Sequence, residues 1–359
     1  MREKFVNLFL IIVALMIGIV GTLYFTKGQN AQPVFGTGKN ITISEDNTLN
    51  SSIQKVYNAV VVVESYRQNN KTGSGSGFVY KKDDKYGYIL TNYHVVSGAS
   101  SLKVIDMNSE SMDAVYLGGD SYADIAVIRI PVDKVLDVAN RGESTKSKLG
   151  DTVFTVGTPV DTEYIGSVTK GIISGENRTV TVSTTGGNYM MEVLQTDASI
   201  NPGNSGGPLV NVNGEVIGIT SMKLVTDSIE GMGFAIPIEI AMSSVDKLEL
   251  GEKIERPYIG VSLYDIGSMN LYFRGDIKVP DNITTGAVVA SVEENSDAAK
   301  GNLSVGDVIL ELDGTKVKST AHFKYLLYKH DVGDTIRLKV NNNGKEKNLS
   351  IKLTKTLGD

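Results

Sequence analysis

The chain has 359 residues, of which 21% are charged, with a formal net charge of −6, three histidines and no cysteine. That length exceeds one typical domain, so two globular units with shorter appended segments are expected. The missing cysteine excludes disulfides, thiol catalysis and the usual zinc sites, three scattered histidines make no metal cluster, and an acidic balance without a basic block argues against nucleic acid as a partner.

In chain order, Phe5 to Thr26 comes first and carries no charge over 22 residues. As a helix it rises about 33 Å, enough to cross a bilayer core. Arg2 and Lys4 precede it, so the positive-inside rule puts the N-terminus in the cytoplasm and the remainder outside. A cleaved signal peptide has an apolar core of about 7–15 residues followed by an A-x-A-like site. The run here is longer and no such site follows, so residues 1–27 are expected to be an uncleaved, single-pass anchor in the cell membrane. Residues 28–49 are polar and read as a flexible linker. Within them Gly36-Thr37-Gly38-Lys39-Asn40 lacks the spacing and the Ser/Thr of a phosphate loop. Asn50-Ser51-Ser52 is suited to cap a short helix through Tyr57.

From Ala59 onward the pattern is that of strands. Residues 60–63 are a buried-strand run, 68–73 read as a polar loop, and the Gly-Ser repeat of 73–77 as strand entry. Residues 78–80 and 88–90 flank a turn at 81–85 and predict a hairpin. Further strands are expected at 102–105, 114–117 and 125–130. A second set is expected at 152–156, 168–174, 179–182, 191–196, 209–212, 216–222 and 232–236. Residues 239–250 read as helix, and 251–257 as a boundary.

The chemistry centres on Asn201-Pro202-Gly203-Asn204-Ser205-Gly206-Gly207-Pro208. A serine hydroxyl becomes a useful nucleophile when a base takes its proton and donors hold the oxyanion. Glycines around Ser205 let the amides of Gly203 and Ser205 aim at one point; read alone, the same stretch is also a turn with a passenger serine. Of the three histidines, His322 and His330 lie in or beside an expected helix over 319–329 and read as surface residues. His94 ends the β-rich run 87–94, a suitable place for proton transfer by a group whose ordinary pKa is about 6.5. Asp124 leads directly into an apolar strand, as either a strand-entry residue or a buried partner for the imidazole. Asp106, Asp113 and Asp120 sit in more polar stretches and read as solvated. The order His94, Asp124, Ser205 is that of the chymotrypsin-type double barrel.

Thr91-Asn92-Tyr93-His94-Val95-Val96, Asp124-Ile125-Ala126-Val127 and Gly203-Asn204-Ser205-Gly206-Gly207-Pro208-Leu209 together resemble the HtrA (Deg) family of serine proteases. Gly157-Thr158-Pro159, Gly171-Ile172-Ile173-Ser174, Gln195-Thr196-Asp197-Ala198 and Gly233-Phe234-Ala235-Ile236-Pro237 add to the likeness. The resemblance implies Ser205 as nucleophile, His94 as general base and acid, Asp124 as its orienter, and the backbone of Gly203, Asn204 and Ser205 as oxyanion hole. It also implies an ATP-independent endopeptidase that degrades misfolded or damaged extracytoplasmic proteins, a mobile activation loop over 158–166, a homotrimer, and no cofactor. Ser199, six residues before the nucleophile, is not acidic, and with Ile200 and Met222 it predicts an apolar primary pocket. Thr220-Ser221-Met222 is expected to pair with substrate backbone.

Downstream, Tyr258-Ile259-Gly260-Val261, Gly286-Ala287-Val288-Val289, Ser296-Asp297-Ala298-Ala299 and residues 303–309 resemble a PDZ domain. That resemblance implies capture of peptide C-termini, with Tyr258, Ile259, Gly260 and Val261 as the carboxylate loop and Ser319 capping the helix beside the groove. The expected fold is therefore mainly β: a chymotrypsin-like double β-barrel over 50–250, then a small α/β PDZ domain over 257–355, with one N-terminal transmembrane helix. A second reading, a catalytically silent chaperone or peptide-binding protein of the same fold, leaves the intact His, Asp and Ser set unused.

Overall fold

The computed structural model describes residues 2–27, 45–158, 165–184, 187–224 and 231–357. The glycine-containing stretch 36–40, most of the expected linker and most of the expected activation loop fall outside these residues. The chain divides into two units, Met1–Glu45 and Asp46–Asp359. In the first, helix α1 spans Arg2–Lys27, and its described side chains, Val6 and residues 9–22, include exposed Phe9, Ile12, Met16 and Val20. Among the described residues no helix is long and apolar enough to cross a membrane.

Helix α2 spans Glu45–Tyr57, and all but its first residue belong to the second unit. The expected cap at Asn50-Ser51-Ser52 is corrected: these residues lie inside the helix, which begins within the stretch read as linker. Leu49, Ile53 and Val56 recur at helical spacing and pack on the main core, so tertiary burial extends the helix toward its N-terminus. The Ser52 hydroxyl donates to the Val212 carbonyl and ties it down.

Six strands then close into a barrel in the order β1-β2-β3-β6-β5-β4. They are β1 (Val60–Arg67), β2 (Asn70–Lys82), β3 (Tyr86–Thr91), β4 (Ser101–Ile105), β5 (Ser111–Asp120) and β6 (Ile125–Pro131), with a short helix α3 (Tyr93–Val96) after β3. The expected loop over 68–73 is instead a tight hairpin. Gln68 and Asn69 both take positive φ, in the left-handed region. A two-residue turn that follows the twist of its strands requires this. β6 is buried on both faces: Ile125 and Val127 enter the core shared with the second barrel, while Ala126, Ile128 and Ile130 fill the first.

The second barrel comprises β7 (Asn140–Arg141), β8 (Thr152–Gly157), β9 (Ser167–Thr184), β10 (Gly187–Thr196), β11 (Pro208–Asn211), β12 (Glu215–Thr220) and β13 (Gly233–Pro237). Pairing of β11 with both β8 and β12 closes it, and β7 adds at the margin. The two strands expected at 168–174 and 179–182 are one long strand, β9, whose ladder with β10 shifts register near Val193 and Gln195. Helices α4 (Ile238–Met242) and α5 (Val245–Glu249) follow.

The remaining elements are β14 (Pro257–Tyr258), β15 (Val261–Asp265), α6 (Met269–Phe273), β16 (Ala287–Val292), α7 (Asp297–Lys300), β17 (Val308–Leu312), β18 (Thr315–Lys316), α8 (Thr320–Leu327), β19 (Thr335–Asn342), β20 (Lys345–Lys352) and β21 (Lys355–Thr356). The sheet runs β15-β16-β17-β19-β20, which leaves β15 at an edge, and β14 pairs with β21. Phe323, Leu326 and Leu327 of α8 enter this domain's core. The opposite side of α8 lies against β10 of the second barrel. For that reason His322, read as a surface residue, is only 8% exposed, stacked on Tyr325 with ring centroids 5.9 Å apart.

Candidate active site

Each side chain of the expected triad is placed by the end of a strand in a closed barrel. β3 stops at Thr91, and the next turn sends the imidazole of His94 into the crevice between the barrels. Val95 and Val96, beside it, are buried in the first barrel's core. The carbonyl of Asp124 accepts from the Tyr93 amide at 3.1 Å and from Asn92 Nδ2 at 2.9 Å, so the histidine turn is bolted to the entry of β6. Asp124 is fully buried and has a positive φ. Aspartate tolerates that left-handed conformation better than most residues. Its Oδ2 lies 2.8 Å and its Oδ1 3.0 Å from His94 Nδ1, while Oδ1 also accepts from the His94 amide at 3.0 Å. This fixes Nδ1 as the protonated nitrogen and leaves Nε2 for proton transfer.

Ser205 lies on the nucleophile loop between β10 and β11. The Gly203 and Ser205 amides donate to no acceptor among the described residues. An oxyanion site requires such unengaged donors. The Asn204 amide differs from its expected role: it donates to the Asn201 carbonyl at 2.9 Å and is not available to a substrate oxygen. Ser205 Oγ accepts from the Met222 amide at 3.0 Å, and among the described residues no hydrogen bond joins it to His94. Ser221, the neighbouring residue, donates from its hydroxyl to Asp124 Oδ2 at 3.0 Å. One dipeptide therefore spans the orienting carboxylate and the nucleophile.

Two of the expected pocket residues are thus corrected. Ser221 is buried against Asp124, and Thr220, also fully buried, turns its hydroxyl under the nucleophile loop to the carbonyls of Asn204 (2.6 Å) and Gly207 (3.1 Å). Thr220 is the last residue of β12 and Ser221 follows it, so the two hydroxyls leave the chain in different directions, one to the nucleophile loop and one to Asp124. Ser199 is exposed; its carbonyl accepts from Thr169 Oγ1 at 2.9 Å and Asn204 Nδ2 at 3.3 Å. Ile200 lies against Gly233, where an added Cβ would come within 2.6 Å of its Cγ1. Met222 is half-buried.

Asp106 and Asp120 are also corrected, from solvated to buried. Each carboxylate takes two backbone amides, Asn108 and Glu110 for Asp106, Tyr122 and Ala123 for Asp120. Asp113 is exposed, at the edge of a weak pair with Lys103. Among the described residues no group of acidic and histidine side chains could hold a metal.

In the C-terminal domain, the Ile259 and Gly260 amides have no acceptor among the described residues, and they precede the edge strand β15. Ile259 itself is buried in the core, the Tyr258 hydroxyl donates to Glu293, and Val261 begins β15. Gly260 has a positive φ, and an added Cβ would lie 2.3 Å from Ser296 Cβ. The position therefore requires glycine. The Ser319 hydroxyl accepts from the His322 amide at 3.1 Å and caps α8 as expected.

Family models for a trypsin-like peptidase domain and a PDZ domain match residues 75–219 and 257–353. The chain is 35% identical over 349 residues to serine protease Do-like HtrA of Lactococcus lactis subsp. cremoris, covering 89% of this chain and 86% of that one. The chain belongs to the HtrA family of serine proteases. The crystal structure of a serine endoprotease from Yersinia pestis superposes on this HtrA chain with a TM-score of 0.65 at 30% identity, covering 86% of this chain and 98% of the other. The HtrA-type protease AlgW, solved with a decapeptide, gives 0.66 at 26% identity over 87% and 99%. This HtrA protein is thus a serine protease with a trypsin-like domain and a PDZ domain, on a mainly β double barrel. Ser76 and Thr91, whose types and spacing assign them no role, sit directly beneath the nucleophile loop.

Proposed function

We propose that this HtrA protease hydrolyses peptide bonds with Ser205 as nucleophile, His94 as general base and then acid, and Asp124 as orienter. Gly203 and Ser205 amides receive the oxyanion. The single observation behind the assignment is the fully buried Asp124 carboxylate holding His94 Nδ1 at 2.8 Å beside a serine loop with two unengaged amides. The bond from the Met222 amide uses a lone pair of Ser205 Oγ and leaves its proton free, so the hydroxyl must come within reach of His94 Nε2 before it attacks. The serine then adds to the scissile carbonyl as His94 takes its proton. Collapse of the tetrahedral adduct expels the amine, protonated by His94, and water releases the acyl group by the same steps.

The substrates we assign are misfolded or damaged extracytoplasmic proteins, presented as an extended chain, with an apolar primary pocket at Ile200 and Met222. The PDZ domain takes peptide C-termini along β15, its carboxylate on the amides of Ile259 and Gly260. The N-terminal segment 1–27 anchors the protein in the membrane, in support of which stand the 22 uncharged residues and the apolar groups exposed along α1. The working form is a homotrimer. Resistance of the full chain to alkaline carbonate extraction, lost when residues 1–27 are removed, tests the anchor; light scattering of the soluble remainder tests the trimer.

The deciding experiment compares casein cleavage by the wild type and Ser205→Ala, with fluorophosphonate labelling of both. The variant is expected to lose activity by on the order of 10⁶-fold and to lose the label. Equal cleavage by the two proteins would remove Ser205 from the mechanism.

A further inference from the structure

Two consecutive peptide units of the nucleophile loop link the Gly203 amide to the Ser205 amide, and the second of them carries the Ser205 N–H. The first, Gly203–Asn204, is gripped at both ends: its N–H by the Asn201 carbonyl at 2.9 Å, and its C=O by the Ser76 hydroxyl at 2.7 Å. The second, Asn204–Ser205, is gripped at its carbonyl by Thr220 Oγ1 and by the Gly207 amide at 2.9 Å. The next carbonyl, that of Ser205, accepts from the Ser76 amide at 2.8 Å. Ser76 thus touches the loop on both sides of the nucleophile, although it belongs to β2 in the opposite barrel.

Ser76 is itself completely buried and fully wired. Its hydroxyl oxygen accepts from the Thr158 amide at 3.2 Å while donating to Gly203, and its carbonyl accepts from Thr91 Oγ1 at 2.7 Å. The space around it is closed. A Cβ at Gly206, a residue of positive φ, would lie 2.2 Å from the Ser76 carbonyl oxygen. Without the hydroxyl, the Gly203 carbonyl loses its only side-chain partner among the described residues.

We propose that Ser76 is a positioning residue for the oxyanion hole, its hydroxyl fixing the Gly203 carbonyl so that the flanking amides stay directed at the reacting carbonyl oxygen. This rests on the assignment of Gly203 and Ser205 as the oxyanion donors. Ser76 makes no contact with the substrate, so its loss acts on the transition state and leaves ground-state binding in place. Deleting an oxyanion donor outright costs about 10²- to 10³-fold, and a misplacement of about 1 Å costs up to about 10²-fold.

The test measures kcat and KM of Ser76→Ala on a peptide substrate, per active site titrated, beside the wild type and Ser205→Ala. The expected result is a kcat lower by about 10- to 100-fold with KM within about twofold of the wild type. The affinity for a peptide aldehyde, whose adduct carries the oxyanion, falls by the same factor as kcat/KM. A kcat per titrated site within twofold of the wild type overturns the proposal, as does a KM that rises in step with any loss. If Ser76→Ala does not fold, Ser76→Cys, close in volume with a weak donor, takes its place under the same criteria. An inactive wild type overturns the protease assignment and this proposal together, whereas an active wild type with an equally active Ser76→Ala overturns this proposal alone.

Discussion

Asp124 shows how much one carboxylate organises. It accepts from the ring and the amide of His94 and from the Ser221 hydroxyl, and it has no exposure to water. An ionised carboxylate offers only acceptors, so every neighbour is a donor and the imidazole is left one tautomer. Asp124→Asn is expected to fold and to lose about 10⁴-fold in kcat with KM little changed, because an amide can hold the wrong tautomer. Steady-state kinetics beside a circular dichroism melt checks this. The pairing of His94 with Asp124 was legible because histidine is rare here and Asp124 opens an apolar strand. Ser76, Thr220 and Ser221 were not legible in their roles. Serine and threonine are common, and only the meeting of two barrels shows which of their hydroxyls reach a functional backbone. The burial of Asp106 and Asp120 was hidden for a related reason: four of the donors that hold them are amides two to four residues downstream, which leave no trace in composition, and Asp120's further donor, Arg256, lies 136 positions along the chain.

Elements were easier to read than their edges. The strands of both barrels stand near their expected positions because apolar runs and turn residues mark them. The hairpin at Gln68-Asn69 escaped because that dipeptide lacks the glycine usual in such turns. Helix α8 carries a consequence that periodicity alone did not reveal, since its second face docks on β10. There His322 is stacked on Tyr325, its Nδ1 accepts from the Lys318 amide, and burial, then Lys318 and Lys329, lower its pKa from the ordinary 6.5. The unfolded chain therefore binds the proton first as pH falls. This stabilising contribution is complete above pH 6.5 and is lost progressively below it, down through the folded value. Melting temperatures taken from pH 7.5 to 5 should fall more steeply for the wild type than for His322→Gln, and parallel curves would remove His322 as the cause. On the same domain, Gly260→Ala places a methyl group against Ser296 in a strained left-handed backbone. Calorimetric titration with an apolar C-terminal peptide should show at least a tenfold loss of affinity, of the order that about 1.4 kcal/mol produces.

At the scale of the second unit, protease and PDZ domains meet through two clusters of side chains. Tyr325 and Lys329 of the α8 region converge on Glu192 of β10, the second at 3.0 Å. Further along, Arg256 of the connecting segment donates to Asp120 Oδ2 at 2.5 Å and lies over the rings of Tyr122 and Tyr328, which themselves meet edge-on at 5.4 Å. The Lys329–Glu192 pair is exposed. Such pairs contribute little. Arg256 is another case: its side chain is 15% exposed and that of Asp120 1%, so removing the guanidinium strands a carboxylate in a desolvated site. A broken buried pair costs about 3–5 kcal/mol. The lower end of that range applies, because the Tyr122 and Ala123 amides still hold Asp120. Arg256→Ala is therefore expected to separate the thermal unfolding of the PDZ domain from that of the double barrel. Calorimetry should then resolve two transitions, and hydrogen exchange should show faster opening at 120–124, the turn that carries Asp124. If the variant melts in the same single transition as the wild type, the two domains are joined by the Glu192 cluster and α8 packing, and Arg256 is dispensable to their contact.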